Sequence, residues 1–172
     1  MNMNTQTKDF PDTFWTYIEI SSGGSEKYEF DEELQGVKLD RLLFTSMRYP
    51  ANYGFAMGTL GKDGDALDVL VYSAPIANGV AVKCKPIGVL EMTDEEGPDS
   101  KIIAVPIEKI DPAAQSVNDI NDLPQYAKDK LKHFFEHMKE LEKGKFVRVD
   151  GFSDKNKAMA LLKESREAKA KE

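Results

Sequence analysis

The chain has a single cysteine, so an intramolecular disulfide is excluded. Cys84 sits in Val80-Ala81-Val82-Lys83-Cys84-Lys85, where alternation puts it on the face of Val80 and Val82 and predicts a buried, inert thiol. No segment approaches the roughly 18 consecutive apolar residues of a membrane span, and the polar stretch Met1 to Phe10 has no apolar signal-like region. A cytoplasmic protein without a membrane partner is therefore expected. A basic excess is also missing. The 30 Asp and Glu outnumber the 23 Lys and Arg, giving a formal charge of −7, which disfavours sequence-independent binding to nucleic acid. Gly-rich phosphate loops and internal repeats are absent as well.

What is present reads as one domain over residues 1–172, with flexible ends at 1–12 and 166–172. Alternating or β-branched runs predict strands at 14–20, with Phe14, Ile18 and Ile20 on one side, and at 27–30, 37–44, 69–72, 80–85, 88–92, 101–105 and 146–152. Turn chemistry separates them at Ser22-Gly23-Gly24-Ser25, Gly61-Lys62-Asp63-Gly64 and Glu96-Gly97-Pro98-Asp99. The last third changes period. Asp122 is placed to cap a helix whose stripe is Ala127, Leu131, Phe134, Phe135, Met138 and Leu141 and which Gly144 ends; Ser153 is placed to cap a second. Strands followed by helices around one further strand make an α+β fold, a small barrel or sandwich with C-terminal helices.

The strongest chemical signal is Lys62-Asp63-Gly64-Asp65-Ala66-Leu67-Asp68 before the apolar run Val69-Leu70-Val71. Three carboxylates this close repel one another, and hard divalent cations with oxygen ligands are the obvious offset; a solvated acidic turn is the plainer alternative. An EF-hand loop counted from Asp63 would need glycine at position six and Glu at twelve, where Asp68 and Ala74 stand. A phosphatase loop with an Asp nucleophile would follow its apolar strand rather than precede it. A second acidic group, Glu91, Asp94, Glu95, Glu96 and Asp99, ends at Lys101 and reads alone as a solvated hairpin tip. Strands carrying Glu29, Arg41, Asp68 and Lys101 would gather acids and bases on one face, the acids for metals and the bases for the oxygens of an anion. His133-Phe134-Phe135-Glu136-His137 matches H-x-x-E-H, but only 35 residues follow and both histidines flank the apolar stripe, so partly exposed helix histidines are expected rather than a zinc site.

Four ordered segments carry a resemblance. Asp63-Gly64-Asp65-Ala66-Leu67-Asp68-Val69-Leu70-Val71, Arg48-Tyr49-Pro50-Ala51-Asn52-Tyr53-Gly54-Phe55, Gly88 through Lys101, and Asn121-Asp122-Leu123-Pro124 with His133 through Gly144 together resemble the soluble family I inorganic pyrophosphatases, bacterial type, over about residues 17–152. The resemblance implies an OB-like five-stranded antiparallel β-barrel with flanking C-terminal helices. It further implies hydrolysis of inorganic pyrophosphate to two orthophosphates by a metal-bound hydroxide activated by a carboxylate base. Carried over by position, Asp65 matches the base. Glu29, Asp63, Asp68, Asp94 and Asp99 match metal ligands, Lys27, Arg41, Tyr53, Lys101 and Lys139 match phosphate binders, and Glu19 matches a supporting acid. Several Mg²⁺ per site, with Mn²⁺ as a substitute, a pyrophosphate–metal substrate and a homohexamer are implied in the same way. The chain departs from the pattern at Ala66, where proline is usual, and at Phe146 and Phe152, where tryptophans are frequent. Met138 stands where the family generally has a tyrosine that bonds substrate phosphate; methionine cannot donate, so weaker phosphate binding with activity kept through Lys139 is expected. Two rival readings are an OB-type module for single-stranded nucleic acid, which wants basic grooves, and a hydrolase of another phosphoanhydride such as polyphosphate or a nucleotide.

Overall fold

In the computed structural model, which describes residues 1–171, nine strands and two α-helices follow one another. They are β1 (Phe14–Ile20), β2 (Glu26–Asp31), β3 (Gly36–Leu42), β4 (Asn52–Ala56), β5 (Asp68–Val71), β6 (Ala81–Asp94), β7 (Gly97–Pro98), β8 (Lys101–Pro106), α1 (Gln125–His137), β9 (Val147–Asp154) and α2 (Lys155–Lys169). Short 3-10 turns at Pro112–Ser116 and Ile120–Asp122 precede α1. The protein is mostly β-sheet with two helices. Among the described residues no helix is long and apolar enough to cross a membrane.

β1 pairs with β4, β4 with β5, β5 with β8, β8 with β6, and β6 returns to β1, so five strands hydrogen-bond in a closed circuit. β7 and β9 extend β6, and β2–β3 form a separate hairpin. The resemblance implies an antiparallel sheet, and the structure corrects this at one pairing. β5 and β8 run parallel, Val69 opposite Ile102 and Val71 opposite Ala104, because β6 intervenes between them in the chain. Parallel strands are buried on both faces, and every residue of β8 is buried. Alternate side chains serve two apolar clusters. Val69, Val71, Ile102 and Ala104 pack with Ala158 and Leu162 of α2, whereas Leu70, Ile103 and Val105 pack with Leu131, Phe134 and Phe135 of α1.

Most strand expectations hold, and the departures have local causes. The two runs 80–85 and 88–92 are one strand, β6. Pro86 cannot donate to the ladder, and a register shift between Pro86 and Gly88 absorbs it without ending the strand. Ile20 leaves the side shared by Phe14 and Ile18, since a bulge after Ile18 turns it into the other cluster. β4 carried no apolar alternation because its inward residues are Asn52, Gly54 and Ala56. Gly54 has to be glycine: a Cβ there would lie 1.8 Å from the Tyr17 carbonyl oxygen. Asn52 is fully buried and bonds across the chain, accepting from the Ser22 and Ile76 N–H groups (3.0 and 2.8 Å) and donating to Val71, Ser73 and Ala74 oxygens.

The helix boundaries also differ from expectation. Asp122 accepts from the N–H groups of Asn118 (2.8 Å) and Asp119 (2.9 Å), closing the 3-10 turn, and α1 begins after Pro124 without a side-chain cap. α1 ends at His137, and turns carry the chain on to Gly144, whose φ of +79° is the left-handed conformation glycine tolerates. Asp154, not Ser153, caps α2 by accepting from the Lys157 N–H (3.0 Å). Cys84 is buried, and burial pushes its thiol up to about 12, in line with an inert packing residue. At the ends expected to be flexible, Gln6 bonds the Met57 carbonyl and Arg166 bonds those of Asn4 and Gly58; residue 172 lies outside the described residues.

Candidate active site

Lys101, the first residue of β8, is the hub. It is 4% exposed, and its Nζ donates to Asp68 Oδ2 (2.7 Å), to both oxygens of Asp99 (3.0 Å each) and to the Tyr53 hydroxyl (3.2 Å). Tyr53, on β4, donates in turn to Asp68 Oδ2 (2.7 Å). The ladders dictate this convergence. β4 and β8 flank β5, which opens with Asp68 at the end of the acidic loop, and Lys101 lies opposite Leu90 where the β6–β7 hairpin returns. Burial disfavours the Lys101 charge, but Asp68 and Asp99 more than offset it and raise its pKa. Burial raises Asp99 in spite of Lys101, and the charges of Asp68 and Asp94 add to that. Burial, followed by Asp68 and Asp99, raises Tyr53 and keeps its phenol protonated.

Two further groups border this network. Asp94, buried at the end of β6, accepts from Lys139 Nζ (3.1 Å), and Lys139 also lies 3.6 Å from Glu95. Burial opposes ionisation of Glu95, but the bond from Lys145 (2.7 Å) and the Lys139 charge hold its carboxyl down at about 2. On the hairpin, Lys27 pairs with Glu29 and with Asp40 (3.3 Å), while Arg41, opposite Lys27, pairs with Asp40 (2.9 Å) and Glu142 (3.3 Å). The second acidic group is therefore no solvated tip. Asp94 is buried, Glu95 and Asp99 are ion-paired, and Glu96 alone of its members is exposed.

The acidic loop stands beside these groups. The Asp65 N–H donates to Asp63 Oδ1 (3.1 Å), and both side chains are exposed. Partial burial, and then the charges of Asp63, Asp68, Glu29 and Glu96, raise the Asp65 carboxyl, so residues from three elements share one negative field. Glu19, on β1, is 8% exposed and accepts from the Phe30 N–H (2.7 Å). Burial pushes it up to about 7, with Asp68 and Glu29 adding to the effect.

A raised carboxyl binds its proton more tightly folded than unfolded. The stability this gives is complete below the ordinary value of 4.5 and is lost as pH rises through about 7. In chelator-treated protein, Glu19→Gln is expected to flatten stability against pH over that interval and to raise stability near pH 8 by about 2–3 kcal/mol. Denaturant melts at several pH values check this, and a variant as pH-dependent as the parent rejects it.

Among the described residues no three carboxyl or imidazole groups form a ready-made metal cluster. The donor set nevertheless fits hard divalent cations. It is all oxygen, Asp68 and Asp99 converge on a single positive charge, and Asp65 and Asp99 are raised first by burial and then by neighbouring acids. His133 is exposed, its ring 4.6 Å from that of His137, which contacts Glu140 (3.0 Å); the pair is a helix-surface feature. Met138 packs inward at 4% exposure. Two partners escaped the sequence reading. Glu142, which holds Arg41, and Lys145, which holds Glu95, lie beyond α1, and only their charges could have drawn attention to them.

Comparisons with known proteins converge. Residues 16–170 match the family model described as inorganic pyrophosphatase. A curated inorganic pyrophosphatase from Thermoplasma volcanium is 58% identical over 95% of this chain and 97% of its own. A solved structure of the inorganic pyrophosphatase from Helicobacter pylori superposes with a TM-score of 0.93 at 45% identity, covering 96% of this chain and 98% of that one. That from Thermus thermophilus gives 0.94 at 37% identity, with 99% of each chain covered.

Proposed function

The chain belongs to the inorganic pyrophosphatase family, and on that premise we propose that this one domain hydrolyses inorganic pyrophosphate to two orthophosphates at the Lys101 network and the acidic loop beside it. The single observation that carries the reading is the union of Tyr53, Asp68, Asp99 and the buried Lys101 in one part-buried hydrogen-bonded set bordered by the other carboxylates and bases. The closed circuit of five strands is read as a small OB-like barrel that holds them.

Asp63, Asp68, Asp94, Asp99 and Glu29 are the residues that would hold divalent cations, Mg²⁺ with Mn²⁺ as a substitute. Such cations supply Lewis acidity, lowering the pKa of bound water and offsetting phosphate charge. The chain's own residues do the rest. Asp65, made more basic by partial burial and its acidic neighbours, accepts the proton of the attacking water. Arg41 offers a planar fork to phosphate oxygens, and Lys27, Lys101 and Lys139 offer compact charges. Tyr53, protonated throughout the neutral range, can turn its O–H from Asp68 to a phosphate oxygen. Glu19 supports the set from beneath the hairpin. Phosphoryl transfer asks mainly for positioning and charge stabilisation, which is what this arrangement provides. The reading extends to a homohexamer in the cytoplasm.

Phosphate release from pyrophosphate in Mg²⁺, abolished by a chelator and restored by added metal, is the direct test. Mg²⁺ at 100 times its dissociation constant is also expected to stabilise the fold by about 2.7 kcal/mol. A wild-type chain that releases no phosphate overturns the reading.

A further inference from the structure

Glu91 has no role in the chemistry above, yet two hydroxyls converge on it. Ser100 Oγ donates to its Oε2 (2.6 Å), and Ser153 Oγ donates to its Oε1 (3.0 Å). The pairs Leu90–Lys101 and Thr93–Pro98, with the Asp99 N–H bonded to the Met92 carbonyl (2.9 Å), place Glu91 directly across from Ser100. Ser100 separates Asp99 from Lys101. Strand alternation sends those two to the site face and Ser100 to the opposite face, where Glu91 meets it. Glu91 also lies where β6 and β9 change register, opposite Gly151 and ahead of the Met92–Val149 pair, so ladder bonding is interrupted beside it. The carboxylate spans the gap, tying the Asp99–Lys101 segment on one side to β9 on the other.

We propose that Glu91 is a positioning residue for the active site. Its two hydroxyl bonds hold the segment that presents Asp99 and Lys101, and so set how tightly the site takes a divalent cation. The inference rests on the reading of Asp99 and Lys101 as site residues. Groups that support metal ligands from behind typically govern affinity by about 10–100-fold, and small displacements of reacting groups cost comparable rate.

The test uses the full chain with Glu91→Leu, Glu91→Gln and Ser100→Ala. Mg²⁺ affinity is measured by calorimetry, kcat and KM for pyrophosphate by phosphate release, and stability by thermal melts. Glu91→Leu and Ser100→Ala are each expected to weaken Mg²⁺ binding and lower kcat/KM by about tenfold. Glu91→Gln is expected to recover most of the loss, because an amide can accept from one serine and donate to the other. Should Glu91→Leu fail to fold, Ser100→Ala, which removes a single hydroxyl, decides the matter. A lowered melting temperature with unchanged Mg²⁺ affinity overturns the proposal, as does a Gln variant no better than Leu. A wild-type chain without phosphate release overturns the pyrophosphatase reading instead, and the calorimetry still rules on Glu91.

Discussion

Asp65→Asn is expected to cut phosphate release from pyrophosphate by about a hundredfold or more, the usual range for removing a general base being about 10²–10⁴. The side chain is exposed and the backbone bond to Asp63 does not involve it, so the near-isosteric amide leaves the loop's fold alone. What it removes is the proton acceptor. Partial burial raises the parent carboxyl, and Asp63, Asp68, Glu29 and Glu96 add to this. The higher pKa makes Asp65 a better acceptor but also moves the pH at which it becomes protonated upward. The parent is therefore expected to lose activity in acid through Asp65, a limb the variant lacks. Initial rates across pH, with circular dichroism and melting curves as controls for folding, check both points. An equally active Asn variant would exclude the role.

The second large effect lies at Lys101. Replacing it by methionine preserves bulk but leaves Asp68 and Asp99 without the ammonium that now bonds both. Breaking a fully buried pair by removing one partner costs about 3–5 kcal/mol; Asp68 and Asp99 keep part of their surface in water, so Lys101→Met is expected to lose about 2–3 kcal/mol near pH 8 in the presence of chelator. The sign with pH follows. Burial already raises Asp99, and without Lys101 it loses the charge that holds it down, so the variant regains stability as pH falls toward about 5. Mg²⁺ is expected to restore part of the loss at pH 8, since a cation offsets the same two charges. Activity is not expected to return with it, because the phosphate-binding charge is gone. Melts with and without Mg²⁺ at the two pH values, with rates alongside, decide this. A Lys101→Met protein as stable as the parent in chelator at pH 8 contradicts the assignment of Lys101 as the hub.

Much of the strand layout was legible because apolar alternation is a local property. β1, β8 and β9 fall within a residue or two of their expected bounds. β4 was not, because the residues it buries are an amide, a glycine and an alanine, chosen by close approach and hydrogen bonding rather than by hydrophobicity. Helix caps were misplaced for a related reason. Asp122 and Ser153 are good local caps, but other partners claim them: the N–H groups of the preceding 3-10 turn take Asp122, and Glu91, distant in the chain, takes Ser153.

The sequence by itself determined which residues carry charge, on which strands they lie, and that acidic stretches bracket the apolar core; their order was enough to resemble one enzyme family. It did not determine who pairs with whom. Period-2 alternation assigns a side chain to a face, whereas an ion pair depends on which strands lie side by side. Only the closed circuit of β1, β4, β5, β8 and β6 puts Lys101 between Asp68 and Asp99, residues 33 and 2 positions away in the chain. Only the packing of the segment after α1 against the β2–β3 hairpin and the end of β6 brings Glu142 to Arg41 and Lys139 to Asp94. The tertiary structure made those choices because buried charge is tolerated only where an opposite charge is within reach, and reach is set by the fold.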